Sequence, residues 1–263
     1  MATALITGAS SGIGAQLAQQ LAARGYHLLL VARRAERLQQ LAAELQQQHG
    51  IQVGVLPCDL GDTSAIDPLM QQADAWLAQQ GETLTLLANN AGTGYWDEFS
   101  RQQAAQLTGD IALNITALTL LSHAFVTRAL AHGQPAWLLN IASLAALLPA
   151  PRFAVYSASK DYVLKFSEVL AHELRDSAIS VTCICPGGVL TEFMDHAGQE
   201  LKGNLGMMSA EEVARLSLDA LFAGKLIYIP GLLNKTSSLV RFLPRPLRHR
   251  LVERSMRLTV KPK

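Results

Sequence analysis

The chain has 263 residues, of which 49% are hydrophobic and 16% are charged, and its formal net charge is +1. This length suits one large globular domain or two small ones, and the composition excludes an intrinsically disordered chain. The near-zero net charge gives no electrostatic basis for binding nucleic acid, so we expect no nucleic-acid partner.

Short apolar segments alternate with longer segments of helical period over residues 1–229. This alternation predicts a single doubly wound α/β domain of the Rossmann type, with a parallel sheet of about seven strands and helices on both faces. The predicted strands are residues 4–6, 28–31, 52–56, 84–88, 136–141, 180–184 and 226–229. The predicted helices are residues 12–24, 35–49, 64–80, 101–131, 152–176 and 209–223.

A glycine-rich turn follows the first predicted strand and leads into the first predicted helix. Glycines at such a turn let the backbone approach a pyrophosphate, whose negative charge is favoured at a helix N-terminus. The spacing of the glycines differs from the more common dinucleotide-binding pattern, and tight packing of the strand against the helix is the alternative explanation. We favour nucleotide binding, involving Gly8, Ser10, Ser11, Gly12, Ile13 and Gly14.

Two arginines stand at the end of the second predicted strand, Arg33 and Arg34. A site for NAD normally offers an acidic residue about twenty residues after the glycines, whereas an Arg accommodates the 2′-phosphate of NADP. No Asp or Glu lies between Gly14 and Glu36. Although two loop arginines are often only solvated charge, guanidinium groups suit phosphate well, and we predict NADP(H) as the cofactor.

Tyr156 and Lys160 lie four residues apart in the predicted helix 152–176. One turn of helix brings such residues onto the same face, where a cation lowers the pKa of a phenol from its usual value of about 10. The pair is then suited to general acid or base catalysis. Taken alone, a Tyr and a Lys at this spacing are usually a solvent-exposed pair, so the prediction depends on the residues that accompany them.

Further polar residues follow the later strands in chain order. Asp59 follows the third strand, Asn89-Asn90-Ala91-Gly92 follows the fourth, and Ser143 follows the fifth, ahead of Tyr156 and Lys160. With the glycine-rich turn, this ordered set resembles the short-chain dehydrogenase/reductase family, from residue 3 to about residue 195. The resemblance implies an enzyme that transfers a hydride between nicotinamide and a carbonyl or secondary alcohol.

The resemblance also implies roles for four residues in catalysis. Tyr156 would donate the proton, and Lys160 would lower the pKa of Tyr156 and hold the nicotinamide ribose. Ser143 would hydrogen-bond the substrate oxygen, and Asn114 would steady a water molecule in a proton relay. A satisfied structural amide is the alternative explanation for Asn114, which lies in an apolar helical segment.

By the same resemblance, the cofactor lies along the carboxyl edge of the sheet. The implied contacts are Asp59 and Leu60 for the adenine; Asn90, with Ala91 and Gly92, for the adenosine ribose; Tyr156 and Lys160 for the nicotinamide end; Pro186, Gly187 and Val189 for the carboxamide; and Thr191 for the carboxamide or the pyrophosphate. The segment from Asn89 to Gly92 also has the composition of a strand-ending turn, and the two interpretations are compatible.

Three segments are expected to line the substrate cleft: residues 93–96, 144–153 and 190–208. They are mostly apolar, which suits a lipophilic ketone or aldehyde, although several of these side chains could instead pack on one another. The expected lining residues are Trp96, Leu144, Leu147, Leu148, Phe153, Phe193, Met194, Met207 and Met208.

Residues 230–263 form a basic C-terminal tail. The tail holds nine of the 22 Lys and Arg residues and one of the 21 acidic residues, a net charge of +8 against −7 for the remainder. Leu247, Leu251 and Leu258 fall on one helical face, whereas Val252 and Met256 do not, so the amphipathic pattern is imperfect. We expect a solvated or subunit-packing tail, with weak contact with anionic lipid as the alternative.

The remaining features set expectations about compartment and partners. Cys58, Cys183 and Cys185 lack metal-ligand spacing and no signal peptide is evident, which predicts buried thiols in a cytoplasmic protein. The seven His residues are scattered, so we predict no catalytic metal. The uncharged run 111–127 is too polar for a membrane span and suggests a buried or subunit-facing helix. By resemblance, helices 101–131 and 152–176 would pair in a homodimer or homotetramer.

Two other functions remain open at this stage. A nucleotide sensor or scaffold could retain the fold and bind NADP(H) without turnover, although it would have no need of the Tyr and Lys. A methyltransferase on a similar sheet would bind a methyl donor in place of the dinucleotide.

Overall fold

The computed structural model describes residues 2–198, 200, 201, 203 and 206–261. Seven strands form one sheet in which every pairing is parallel. They are β1 (Ala2–Thr7), β2 (His27–Ala32), β3 (Val53–Pro57), β4 (Thr83–Asn89), β5 (Ala136–Ile141), β6 (Ile179–Ile184) and β7 (Ile227–Tyr228). Their order across the sheet is β7-β6-β5-β4-β1-β2-β3.

Helices connect the strands and continue after the last one. The α-helices are α1 (Gly12–Ala23), α2 (Ala35–His49), α3 (Ile66–Gln80), α4 (Ala104–Ile111), α5 (Leu118–His132), α6 (Ala154–Glu173), α7 (Phe193–His196), α8 (Ala210–Phe222), α9 (Leu232–Ser238) and α10 (Arg245–Thr259). Four 3-10 turns lie at Thr63–Ala65, Phe99–Arg101, Leu144–Ala146 and Leu239–Phe242, and a π-helical turn lies at Ala112–Ala117. The predicted fold class is confirmed.

The helices are held on the two faces of the sheet by two separate apolar layers. Ala4 and Ile6 of β1 face one layer and Leu5 faces the other, because successive strand residues point to opposite sides. The first layer packs α1, α2 and α8 against the sheet, and the second packs α3 and α5. Phe125 of α5 is fully buried in the second layer.

The long predicted helix 101–131 is wrong as a single α-helix. The structure has the 3-10 turn at Phe99–Arg101, then α4, the π-helical turn and α5. A π-helical turn inserts one extra residue without ending the apolar pattern, so periodicity cannot reveal it. The predicted helix 152–176 begins at Ala154, because Arg152 has a left-handed φ of 69° in the turn that precedes it.

By length and composition alone, the helical stretch Ala104–His132 could cross a membrane. This differs from the sequence-based interpretation of the run 111–127, which was judged too polar. In the structure Leu121 and Phe125 pack in the core, and Asn114 is almost fully buried. The described contacts are therefore those of a core helix, as predicted.

The basic tail is helical and packs on the body of the domain. Asn234 of α9 is buried, and its Nδ2 donates to the Pro230 carbonyl at 2.9 Å. Met256 of α10 packs on a cluster formed by Trp96 and Phe153. The end of the tail also forms an antiparallel two-residue pairing, Val260–Lys261 with Glu200–Leu201. The described part of the tail is therefore helical and contacts the domain, in place of the solvated tail that was one of the two expectations.

Candidate active site

A cavity of about 830 Å³ lies at the carboxyl edge of the sheet. It extends from the glycine-rich turn after β1, past the ends of β4, β5 and β6, to α9 and α10. Ligands of open parallel sheets bind at this edge because the strands end there together. Of the predicted cofactor and catalytic residues, this cavity is lined by Gly8, Ser10, Ser11, Gly12, Ile13, Arg33, Arg34, Asp59, Leu60, Asn90, Ala91, Gly92, Ser143, Tyr156, Lys160, Pro186, Gly187, Val189 and Thr191.

The glycine-rich turn needs its glycines for two different reasons. Gly8 and Gly12 have left-handed φ values of 66° and 55°, which other residues rarely adopt. Gly14 has an ordinary φ, but a Cβ there would lie 2.3 Å from the Gly8 carbonyl oxygen. Gly14 does not line the cavity, and the close approach of the Gly8 carbonyl gives it a packing role between α1 and the turn. Its contact with the cofactor stays a prediction.

Asn90 holds this turn against the end of β4. Its Nδ2 donates to the Thr7 carbonyl at 2.9 Å, and the Thr7 hydroxyl accepts from the Asn90 and Ala91 amides at 2.9 and 3.0 Å. The predicted strand-ending turn is therefore present, and Asn90 also lines the cavity. Its contact with the adenosine ribose stays a prediction.

The predicted arginines both lie at the cavity edge, but they differ in their surroundings. Arg33 is exposed, whereas Arg34 is half-buried and donates to the Ser10 hydroxyl at 2.9 Å and the Ser11 hydroxyl at 2.8 Å. Because Ser11 accepts from Arg34 and does not cap α1, the first amides of α1 remain available to an anionic group. Arg34 also pairs with Glu192, a residue that the sequence did not single out.

Tyr156 and Lys160 lie on the first turns of α6 and face the cavity together. Lys160 is 4% exposed, and its Nζ donates to the Ile141 carbonyl at 2.9 Å. The same Nζ is 5.8 Å from the centroid of the Tyr156 ring. Lys160 is thus buried and Tyr156 is partly buried, and the solvent-exposed alternative for this motif is excluded.

Burial changes the pKa of both groups, in opposite directions. Burial raises the pKa of Tyr156 to about 12, and a hydrogen bond with Ser143 only partly offsets this. Burial likewise lowers the pKa of Lys160 to about 8, because it disfavours the ammonium form. The pKa of Tyr156 is therefore raised overall, and a lowering of this pKa by Lys160 stays a prediction.

Ser143 is placed at the cavity by the end of β5. Its hydroxyl accepts from the Ala145 amide at 3.1 Å and begins the 3-10 turn Leu144–Ala146. The same hydroxyl hydrogen-bonds the Tyr156 phenol. Ser143 and Tyr156 therefore present two hydroxyl groups side by side, as binding to one carbonyl oxygen requires.

The side chain of Asn114 is engaged by the protein. Its Nδ2 donates to the Thr93 carbonyl at 2.8 Å and the Ser159 hydroxyl at 3.0 Å, and its Oδ1 accepts from the Thr93 amide at 3.0 Å. The Ser159 hydroxyl in turn donates to the Tyr156 carbonyl at 2.8 Å. This pattern fits the alternative of a satisfied structural amide, which positions α6, and the proton relay stays a prediction.

The catalytic groups leave no room for side chains at the glycines beside them. A Cβ on Gly92 would lie 3.1 Å from Lys160 Nζ and 3.2 Å from Asn114 Oδ1. A Cβ on Gly94 would lie 2.6 Å from Cδ2 of the Tyr156 ring. The loop after β4 thus fixes the positions of both groups by close contact.

Most of the expected apolar lining is present. Trp96, Leu147 and Met208 do not line the cavity, because Trp96 packs on Phe153, Leu147 packs in the core beside α6, and Met208 packs with Val189 and Val213. Residues 199, 202, 204 and 205 of the expected segment 190–208 lie outside the described residues. The expected residues that do line the cavity are Leu144, Leu148, Phe153, Phe193, Met194 and Met207.

Sequence reasoning missed the contribution of the tail to this cavity. Val252 and Met256, which broke the predicted amphipathic face of α10, point into the cavity, while Leu247 is 46% exposed. Val252 and Met256 do not share the helical face of Leu247, and this difference was the signal that could have revealed a second apolar face of α10 toward the cavity. The tail residues that line the cavity are Leu233, Asn234, Ser237, Val240, Leu251, Val252, Ser255 and Met256.

The three cysteines differ in burial. Cys183 and Cys185 are buried, as predicted, whereas Cys58 is partly exposed because it follows β3 at the cavity edge. Over the described part of the chain, no group of three or more His, Cys, Asp or Glu side chains is arranged to hold a metal ion.

Comparison with known proteins decides the family. A model of the short chain dehydrogenase family matches residues 2–202. The chain belongs to this family. It is 36% identical over 228 residues to a fatty acyl-CoA reductase of Acinetobacter baylyi, covering 83% of this chain and 72% of that protein.

Solved relatives have the same fold and carry either nicotinamide cofactor. A short-chain dehydrogenase from Sphingobium yanoikuyae in complex with NADPH has a TM-score of 0.80 and 33% identity, covering 96% of each chain. A short-chain dehydrogenase/reductase from Burkholderia phymatum in complex with NAD has a TM-score of 0.82 and 25% identity, covering 96% and 94%. The protein is therefore a short-chain dehydrogenase that binds a nicotinamide cofactor and acts on carbonyl or alcohol groups.

The residues of this cavity fit such a cofactor. A Cβ on Gly12 would lie 3.0 Å from the Thr191 side chain, so the turn is open only because this residue is glycine. Arg33 and Arg34 offer positive charge at one end, and Tyr156 and Lys160 offer hydrogen-bonding groups at the other.

Replacement of Gly94 tests how closely the loop after β4 fixes Tyr156. In Gly94→Ala the new methyl group must displace the Tyr156 ring, so we expect turnover to fall by about tenfold or more, since small displacements of reacting groups are costly. Gly109→Ala is the matched control, because its Cβ meets no atom within 4 Å. Steady-state rates and thermal unfolding of both variants provide the measurement, and unchanged turnover in Gly94→Ala would contradict the steric argument.

Proposed function

We propose that the protein is an NADPH-dependent reductase of lipophilic ketones or aldehydes. The observation that carries this proposal is that one cavity joins an arginine-lined end, the hydroxyl pair of Ser143 and Tyr156, and an apolar end. Each part corresponds to one component of the reaction: the phosphorylated cofactor, the proton donor and the substrate.

The preference for NADP(H) rests on Arg33 and Arg34. Relatives carry either cofactor, so the preference depends on this chain's own residues. The cavity edge after β2 has two guanidinium groups and no carboxylate from that turn, which suits a 2′-phosphate better than a bare ribose. When bound, the nicotinamide supplies the hydride.

The protein's own groups manage the proton and the developing charge. With a pKa raised to about 12, Tyr156 remains a phenol at neutral pH and can donate to the oxygen of a carbonyl that is being reduced. Ser143 hydrogen-bonds the same oxygen, and the Lys160 ammonium binds the nicotinamide ribose and stabilises negative charge on Tyr156. Tyr156 is therefore in the form that can act as the acid in reduction, whereas alcohol oxidation would use its phenolate as the base.

The apolar end of the cavity supports a lipophilic substrate. Phe153 and Phe193 lie on two sides of Tyr156, with ring centroids at 4.9 and 5.5 Å, and Met256 closes the cluster from α10. The similarity to a fatty acyl-CoA reductase supports a carbonyl on a long hydrocarbon chain as one member of the class. Such walls exclude water from the hydride-transfer site as well as binding the chain.

A sensor or scaffold that binds NADP(H) without turnover is the alternative. It would not require the phenol, the ammonium and the Ser143 hydroxyl to converge on one place, and here they do. A methyltransferase is disfavoured by the family assignment.

The Tyr156→Phe variant tests the proposed proton transfer. A panel of ketones and aldehydes assayed with NADPH and with NADH should show turnover with NADPH, and the variant should lose about 10²-fold or more of the rate. Tyr162→Phe is the matched control on the same helix, because Tyr162 bonds Thr119 outside the cavity and should keep its rate. Undiminished turnover in Tyr156→Phe would refute the proton-donor role, and cofactor binding without turnover of any carbonyl would favour the scaffold.

The pH dependence tests the role of Lys160. Its pKa is lowered to about 8, and Tyr156, Cys183 and Cys185 are the titratable groups that face it. The value of kcat/KM for the cofactor reports the titration of groups in the free enzyme. We expect kcat/KM to fall as pH rises through about 8, because Lys160 loses its ammonium charge there while the Tyr156 phenol is still protonated. A profile that is flat between about pH 7 and 9.5, or that falls toward low pH, would contradict this role.

We further propose a cytoplasmic homo-oligomer whose tail makes weak contact with anionic lipid. Exposed apolar side chains on α4 and α5, Ile111 and Leu120 at 44% and 41%, support pairing through these helices. On the outer side of the tail, Leu232, Leu239 and Phe242 are 78%, 59% and 71% exposed, and the tail is strongly basic. Apolar side chains among cations are typical of interfacial segments.

Sedimentation with vesicles tests the lipid contact. We expect the full chain to sediment with phosphatidylglycerol vesicles at low salt, less at high salt, and not with phosphatidylcholine vesicles, because the attraction is electrostatic. Phe242→Ser should weaken binding, whereas Leu130→Ser, at a 54% exposed position on α5, should not. Failure to sediment with anionic vesicles at low salt would reject the contact.

A further inference from the structure

Glu192 forms a double ion pair at the nucleotide end of the cavity. Its Oε2 accepts from Arg34 Nη1 and its Oε1 from Arg37 Nη1, both at 2.7 Å. Arg34 precedes α2 and Arg37 lies in its first turn, whereas Glu192 lies far away in sequence, just before α7. The ion pairs therefore join the two sides of the cavity mouth.

Each side-chain nitrogen of Arg34 already donates a hydrogen bond in this arrangement. Its Nε and Nη2 donate to the Ser10 and Ser11 hydroxyls, and its Nη1 donates to Glu192. Ser10, Ser11 and Arg34 line the cavity beside Arg33, and so does Glu192. An anionic group that binds among these side chains must therefore share Arg34 with a carboxylate already hydrogen-bonded to it.

The Glu192 carboxylate is a permanent charge in the working range of the enzyme. The hydrogen bonds from Arg34 and Arg37 lower its pKa to about 2. A ribose 2′-phosphate carries about −1.5 to −2 charges at neutral pH, and two anions held by one guanidinium group repel each other.

We propose that Glu192 is a specificity-determining residue that competes with the cofactor's 2′-phosphate for Arg34 and Arg37. The inference rests on the proposed preference for NADP(H), which it deepens. In the structure Glu192 forms an ion pair with each of the two arginines and neutralises part of their charge. A bound 2′-phosphate displaces the carboxylate from Arg34, so that the affinity for NADPH is lower than the arginines alone would give.

The competition also connects the cofactor site to the substrate site. Glu192 stands between Thr191, which lines the cavity opposite Gly12, and Phe193, whose ring is 5.5 Å from that of Tyr156. When the carboxylate leaves Arg34, the segment that carries Phe193 loses one of its two ion pairs with the start of α2 and keeps the one with Arg37. Binding of the phosphorylated cofactor thereby weakens one of the contacts that hold this wall of the apolar end.

Binding of two nucleotide fragments to Glu192→Gln tests the inference without any turnover. 2′,5′-ADP and 5′-AMP differ only in the 2′-phosphate, so calorimetric titration of both isolates that group. We expect Glu192→Gln to bind 2′,5′-ADP about two- to tenfold more tightly than the wild-type chain, as loss of one or two partly exposed ion pairs implies, and to bind 5′-AMP unchanged. Thermal unfolding confirms that the variant is folded.

Glu36→Gln is the matched control, because Glu36 lies in the same first turn of α2 and forms no ion pair with a described residue. Glu36→Gln should leave the affinities for 2′,5′-ADP and 5′-AMP close to wild type. If both variants bound 2′,5′-ADP equally more tightly, the effect would be one of general charge, and the specific role of Glu192 would be overturned. Unchanged or weaker binding of 2′,5′-ADP to Glu192→Gln would overturn it as well. A wild-type chain that binds 2′,5′-ADP no better than 5′-AMP would instead refute the NADP preference, and selective tightening in the variant would still support the competition.

Discussion

A buried ammonium group is the constraint on which the active-site edge depends. A charge removed from water must be compensated by nearby polar groups, and Lys160 has the Ile141 carbonyl at 2.9 Å and the face of Tyr156 at 5.8 Å. A side chain at Gly92 would crowd this group, because a Cβ there would lie 3.1 Å from Lys160 Nζ. The end of β5, the loop after β4 and the start of α6 are therefore fixed in one arrangement by the need to accommodate a single amine.

The same burial accounts for the protonation states of the whole site. A water-poor environment disfavours the charged form of each group, so it raises the pKa of Tyr156 and lowers that of Lys160. The phenol is held protonated at neutral pH, and the pKa of the amine is brought close to neutral pH. Asn114 contributes through structure, because its amide links the loop after β4 to Ser159 and so to the carbonyl of Tyr156.

Much of the fold and of the catalytic set could be predicted because both depend on local patterns. Each strand of the sheet is a short apolar run, and Ser143, Tyr156 and Lys160 follow strands or occupy helix positions that the pattern locates.

The rest depends on contacts between distant segments. The ion pair of Glu192 with Arg34 joins residues 158 apart, and no local pattern indicates it. The raised pKa of Tyr156 has no local signal for a similar reason, because Phe153, Phe193 and the loop at Gly94 cover its side chain together. The π-helical turn was missed because an extra residue in a helix leaves the apolar sequence pattern intact.

The catalytic residues and the residues that would select the substrate come from different parts of the chain. The hydroxyl pair and the amine stand on β5 and α6 in the centre of the domain, whereas Val252 and Met256 come from a helix added after the last strand of the sheet. Changes in the length or composition of that terminal helix can reshape the apolar end and leave the hydride-transfer geometry untouched. The substrate range of such a scaffold can therefore change through its C-terminal helix alone. The residues that line the apolar end would differ, and the proton donor would keep its position.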